Sequence, residues 1–179
     1  CLDNNHDINI VGTHLENNFI DNLQKNNNLH PGLNTEIPQE IKILKFEKFD
    51  ELLKSNVDLI VLGISSKGIE WVADQLSRLY KDGKIPKLLM LTKGLSIHKN
   101  QYELLVDKLE RLLGDRGIKK ADISAVGGPC LAAGLANRVH SSVVIVNKDI
   151  ETAKKIADML HTSYYHTSHS DDLNGVEVS

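Results

Sequence analysis

The chain alternates short runs of consecutive apolar residues with longer stretches in which apolar residues recur every three or four positions. The first pattern predicts strands, the second helices buried along one face. Asp7 to Val11, DINIV, is a short β-branched segment closed by Gly12, and Leu15, Phe19, Ile20 and Leu23 stand at helical spacing. The following NNNLHPGLNTEIP is rich in turn formers and reads as a loop, too brief for a disordered domain. A strand over Ile41 to Phe46 and a short helix marked by Phe49, Leu52 and Leu53 come next. Leu59 to Ile64, LIVLGI, has the continuous apolar character of a strand buried on both faces and paired in parallel.

Ile69, Val72, Ala73, Leu76 and Leu79 mark one face of the next helix, followed by a strand at Leu88 to Leu91. Leu104, Leu105, Leu109, Leu112 and Leu113 mark another helix, which Gly114 can end. The pattern continues with a strand at Ile123 to Val126, a helix opening at Leu131 to Ala136, a strand at Val143 to Val146 and a helix at Ile150 to Leu160. Tyr164 to His166 is a last short strand. Regular alternation predicts a doubly wound, mainly parallel sheet with right-handed crossovers and helices on both faces. No internal repeat or linker divides the 179 residues, so one folded unit is expected.

Charge and composition narrow the functional classes. The net charge of -3 is mild and the basic residues form no stripe, which argues against nucleic acid and anionic membranes as partners. Two cysteines, Cys1 and Cys130, are too few for a disulfide framework and suit a reducing compartment. No apolar run approaches the roughly 18 residues of a spanning helix. The opening CLDNNHD has neither a basic start nor an apolar signal core and reads as the tail of a helix. A cytoplasmic protein is expected.

Candidate chemistry clusters where predicted strands end. Lys93 follows the LLMLT strand, and ligands of open α/β sheets lie beyond the carboxyl ends of the strands. A lysine in that place is otherwise a solvated loop residue. Gly63 to Gly68, GISSKG, has the outer spacing of a P-loop, but Ile69 stands where its lysine belongs, which excludes a nucleotide triphosphatase of that type. Ile64, Ser65 and Ser66 either line a ligand crevice or form an ordinary turn with a serine cap. In Gly127-Gly128-Pro129-Cys130-Leu131-Ala132, consecutive glycines permit close backbone approach to an anion at a helix start. Cys130 has no base supplied by neighbouring sequence and reads as a small, partly buried side chain. His161, His166 and His169 lack an accompanying metal-ligand pattern and read as surface residues, so no metal is expected. The dinucleotide fingerprint G-x-G-x-x-G does not occur.

The pieces INIVGT, HPGL, DLIVLGISS, LTKGL, VGGPCLAAGLA and DDLNGVEVS, in this order, resemble the N-terminal domain of NAD(P)-dependent glycerol-3-phosphate dehydrogenases. The resemblance implies a Rossmann-like fold, NAD or NADP as cofactor, and reversible hydride transfer between glycerol 3-phosphate and dihydroxyacetone phosphate. It places Lys93 at substrate and cofactor, and Gly128 and Cys130 at the glycerol phosphate. Thr13 falls beside the adenosine end, Ile64 and Ser65 in the cofactor crevice, and Ala132 near the dinucleotide. It further implies a small phosphorylated substrate, a homodimer in the full-length enzyme and a place in glycerophospholipid metabolism. Against that pattern the chain is expected to lack the first βα unit with its glycine turn, and to be a partial dinucleotide-binding domain over residues 1–179. The helical domain carrying the catalytic lysine is expected to lie outside, leaving no catalytic residue within the chain. Gly134 stands where an acidic residue is common in the family's GPxxAxE pattern. The alternatives are a related hydroxy-acid dehydrogenase and a noncatalytic α/β binding module.

Overall fold

The computed structural model describes residues 1–81 and 84–178, so Ser179 of the DDLNGVEVS segment lies outside the described residues. A 3-10 turn at Leu2–Asn4 precedes β1 (Asn9–Val11) and α1 (Asn17–Lys25). The asparagine-rich stretch is not all loop. Two-residue strands β2 (Leu29–His30) and β3 (Thr35–Glu36) pair antiparallel within it. Asn27, Asn28 and Asn34 take positive φ, a conformation that asparagine tolerates better than most residues.

After β4 (Lys42–Leu44), α2 (Phe49–Lys54) leads into β5 (Leu59–Leu62) and α3 (Ile69–Tyr80). Then come β6 (Lys87–Met90) and a hairpin of β7 (Leu95–His98) and β8 (Gln101–Leu104), which the apolar pattern does not announce. Lys99 and Asn100 turn it with φ of 49° and 62°, as a tight two-residue hairpin requires. The helix α4 (Leu105–Asp115) runs through Gly114 and stops before Gly117, whose φ of 97° ends it instead. The chain closes with β9 (Ile123–Gly127), α5 (Ala132–Ala136), β10 (Ser141–Val146), α6 (Ile150–Leu160), β11 (Tyr165–Ser170) and α7 (Leu173–Glu177).

The main sheet has five strands in the order β11-β10-β9-β6-β5. Its pairs are parallel except β10 with β9, so the expected mainly parallel, Rossmann-like sheet is present. β1 and β4 form a separate parallel pair. One face of the main sheet packs Leu62, Leu88 and Met90 against Ile69, Val72 and Leu76 of α3 and Leu105 and Leu109 of α4. The other packs Leu89, Val143 and Ile145 against Ile156, Ala157 and Leu160 of α6. Buried Asn147 donates to Asp122 Oδ1 and Ser124 Oγ, at 2.7 and 2.8 Å, and pins β10 to β9.

One prediction about burial fails. The strand β5 is not buried on both faces along its length: Leu59 packs against the α6-side cluster, but Val61 on the same face is exposed. A continuous apolar run reports what a strand could bury, and neighbours decide what it does bury.

Candidate functional site

Three parallel strands deliver their carboxyl ends to one crest. β6 ends in Thr92 and Lys93, β9 in Gly128, and β5 in Gly63, Ile64 and Ser65. Thr92 Oγ1 donates to the Ile64 carbonyl, and Lys93 Nζ donates to the Gly128 carbonyl. These two bonds tie the three strand ends together. The His14 ring packs 5.3 Å from that of Trp71 in the first turn of α3, which brings Thr13, at the end of β1, to the same crest. Thr13 N donates to Glu16 Oε2 at 2.8 Å and its hydroxyl accepts from Leu15 N, so the residue sits in a local helix-entry turn.

Each glycine of the crest has its own geometry. Gly94, after Lys93, has φ of 125°, which turns the chain from β6 into the hairpin. Gly128 has φ of 108°, and a Cβ added there would stand 3.0 Å from the Ser142 carbonyl and 3.2 Å from Val143 Cα. A structural cause therefore accounts for this glycine, beside any ligand, because β10 runs directly against it. Gly127 is likewise closed off, with Val176 of α7 filling its Cβ position. Gly63 faces open space.

The remaining candidates divide. Cys130 is free and partly buried against the cluster that includes Val126 and Val143, the small packed side chain that its sequence context implies. Ala132 is exposed at the start of α5. Ser65 precedes the 3-10 turn Ser66–Gly68 without a side-chain capping bond, so the serine-cap reading of this turn does not hold. The histidines regroup: His140 Nδ1 lies 3.0 Å from His166 Nε2, and His161 meets His166 edge-on, while His169 stands apart. Among the described residues no group of three could hold a metal ion.

Glu177 carries a signal that the sequence pattern does not single out. Its side chain is buried against the first turn of α4, and neither carboxylate oxygen has a hydrogen bond of ordinary geometry. Burial pushes its pKa up to about 7; the Asp107 charge adds to the rise, and the Val106 and Leu105 amides oppose it. The carboxyl sits beside the root of the β7–β8 hairpin, where β8 passes into α4.

Residues 1–153 match the family described as NAD-dependent glycerol-3-phosphate dehydrogenase N-terminus. The NADP(+)-dependent glycerol-3-phosphate dehydrogenase of Archaeoglobus fulgidus is 24% identical over 178 residues, covering 99% of this chain and 50% of that protein. The glycerol-3-phosphate dehydrogenase [NAD(P)+] of Rickettsia typhi is 34% identical over 122 residues, covering 68% of this chain and 36% of its own length. The solved glycerol-3-phosphate dehydrogenase of Coxiella burnetii superposes with a TM-score of 0.77 at 19% identity, over 99% of this chain and 50% of that one, which shows the shared fold. The chain thus spans about half the length, or less, of the relatives it matches. With most of its length matched and the strand ends gathered as the fold requires, this chain belongs to the N-terminal family of NAD-dependent glycerol-3-phosphate dehydrogenases.

Proposed function

We propose that residues 1–179 are a partial dinucleotide-binding domain of an enzyme interconverting glycerol 3-phosphate and dihydroxyacetone phosphate with NAD or NADP. The observation that supports this most is the Lys93 ammonium held on the Gly128 carbonyl at the crest. It is a cation placed where an α/β sheet receives ligands. In this reading Thr13, Ile64, Ser65, Lys93 and Ala132 face the cofactor, and Lys93, Gly128 and Cys130 face the substrate. The open space at Gly63 fits a dinucleotide passing over the end of β5. Thr13 is neither an acid for a ribose hydroxyl nor a base for a 2′-phosphate, and so suits either cofactor.

The bound cofactor supplies the hydride chemistry. Lys93 exchanges its carbonyl partner for the substrate oxygen and stabilises the negative charge that develops there. The proton-transferring lysine belongs to a helical domain outside residues 1–179, and the working enzyme is a cytoplasmic homodimer feeding glycerophospholipid metabolism. Oxidation of NADH and NADPH with dihydroxyacetone phosphate tests the reading on two samples: the 179-residue chain, and the product of the complete coding sequence. The first should be silent and the second active. Robust turnover by the short chain would sink the partition of roles, and an inactive but folded long product would sink the function.

A further inference from the structure

We propose that His140 and His166 form a site for a divalent late first-row transition-metal ion, of the nickel or copper class. The outer edge of the main sheet builds the pair. Ser141 N donates to the Tyr164 carbonyl at 2.9 Å, and Ser142 is the register partner of His166 in the parallel β10–β11 ladder. Side chains alternate along an extended chain, so His140, one step before β10, shares a face with Ser142 and therefore with His166. The two rings are diagonal neighbours, a spacing that long aromatic side chains can bridge. They do bridge it: His140 Nδ1 lies 3.0 Å from His166 Nε2, with the ring planes 29° apart.

That separation suits a metal. With metal–nitrogen bonds of about 2.0 to 2.1 Å, two nitrogens 3.0 Å apart subtend roughly 90 to 100° at the ion. This is the angle between adjacent ligands of tetragonal Ni²⁺ or Cu²⁺, whereas tetrahedral Zn²⁺ would spread the pair to about 3.4 Å. As the pair stands, one ring donates a proton and the other accepts it. An ion needs a lone pair on both, so the donor ring takes its other neutral tautomer, with the proton on Nε2 of His140 or on Nδ1 of His166. The exposed His140 ring is free to turn its lone pair toward the ion.

The surroundings support the assignment. His161 meets His166 edge-on at 5.7 Å, and its Nδ1 accepts from Thr167 N at 3.3 Å. That bond puts the proton of a neutral His161 on Nε2 and stands the ring as a buttress that orients His166. Arg138, a nearby cation, is already engaged. Its guanidinium lies 5.4 Å over the Tyr164 ring and 3.6 Å from Asp3, to which the Tyr164 hydroxyl also donates. Asp3 thus offsets a charge that would repel an incoming ion. Among the described residues no third His, Cys, Asp or Glu completes the set, so water takes the remaining coordination positions. The site also differs from the His161, His166 and His169 grouping that stands out in the sequence, because alternation puts His169 on the other face of β11 from His166.

The test is a titration of the 179-residue chain with nickel chloride, followed by calorimetry and by proton–nitrogen correlation spectra. Neither cofactor nor substrate is present, so the result stands apart from the functional reading. All samples carry Cys1→Ser, because the exposed Cys1 thiol beside the terminal amine would itself take nickel. One ion should bind per chain. His140→Gln and His166→Gln should each weaken binding at least about tenfold, since even the loss of a group that only orients a ligand costs that much. His169→Gln should change nothing. Paramagnetic broadening should begin at the amides of His140 and His166, and nickel should raise the unfolding midpoint of the parent but not of those two variants. His140→Cys, which keeps a ligand, should hold nickel more tightly than His140→Gln; equal weakening by both would mean that the substitution only loosens the strand, and the site would fall. No binding, unchanged affinity in His140→Gln, or broadening centred on His169 or the amino terminus would overturn it as well.

Discussion

The two halves of the molecule are built from the same kinds of elements but closed to different degrees. In the half formed by β6, β9 and β10 with α3, α4 and α6, residues such as Leu76, Leu88, Met90, Leu109 and Ile145 have no exposed surface. In the half formed by β1, β4 and α1, only Ile20, Leu23 and Ile43 make a buried cluster. Covering both faces and both edges of a strand is what converts an apolar run into stability. The crest crosses this divide: Lys93 and Gly128 stand on the closed half, Thr13 on the open one. A ligand gripping all three would hold the open half against the closed one.

The largest effect should come from breaking the closed half. Leu109→Ala leaves a cavity in a site without solvent, and should cost about 3 to 4 kcal/mol in a denaturant melt. Leu23→Ala in the small cluster should cost clearly less, because neighbours there can relax into solvent. Equal losses would mean that the two halves unfold as one unit. Lys93→Met, in the complete enzyme, should lower kcat/KM by roughly a hundred- to a thousandfold, about 2.7 to 4 kcal/mol, while the melt stays put. Wild-type kinetics from that variant would remove Lys93 from the site.

Gly128→Ala comes next, and the structure changes what to expect from it. Sequence pattern favours a ligand-facing glycine, for which alanine would spare stability. The positive φ and the 3.0 Å approach to the Ser142 carbonyl make the strained backbone the first cause, so a loss of about 1 to 3 kcal/mol is expected in the free chain. An unchanged melt with weakened glycerol 3-phosphate binding would restore the ligand reading.

How far the fold was legible follows the same divide. The helices and strands of the closed half are readable because apolar spacing and burial coincide there, as at Ile150–Leu160, where predicted and observed bounds agree. The hairpin β7–β8 was hidden, since Leu95, Ile97 and Tyr102 are exposed and its Lys99–Asn100 turn contains no glycine. β11 extends to Ser170 through YHTSHS, polar residues held in a strand by their ladder to β10. At the site, the strand-end positions of Lys93 and Ser65 could be read from sequence. The cross-links Thr92 to Ile64 and Lys93 to Gly128 could not, because they join residues 28 and 35 positions apart.

Glu177 offers a pH-dependent way to sharpen the comparison, since it lies against α4 on the closed half. Its folded pKa of about 7 exceeds its ordinary value of 4.5, so the folded chain binds the proton more tightly. Its contribution is most favourable below about pH 4.5 and is lost as pH rises through about 7. Glu177→Gln should remove that slope and raise stability at pH 8 by about 1 to 2 kcal/mol, with little change at pH 4. Chemical melts of both proteins at the two pH values would check it, and parallel pH profiles would exclude Glu177 as the source.

The smallest effect concerns a bidentate ion pair on α2, the helix in the segment that joins the two halves. Arg78 of α3 donates from Nη1 and Nη2 to the two carboxylate oxygens of Asp50 in α2, both at 2.6 Å. Its geometry is good, but both partners are exposed, and solvent and salt screen such pairs until little net stability remains. The hydrogen bonds from Arg78 hold the Asp50 carboxyl below its usual range. The stabilisation is therefore present above the unfolded pKa, near 3.8, and is lost as pH falls through the lower folded value. Asp50→Asn should shift the global melt only slightly, and raised salt should erase the difference. Local exchange is the more sensitive measurement, because α2 joins β4 of the open half to β5. Amides of α2 should exchange faster in Asp50→Asn at low salt, while those of α4 and α6 keep their rates. If α4 and α6 loosen equally, the pair braces the whole molecule, and the division between an open and a closed half fails at this point.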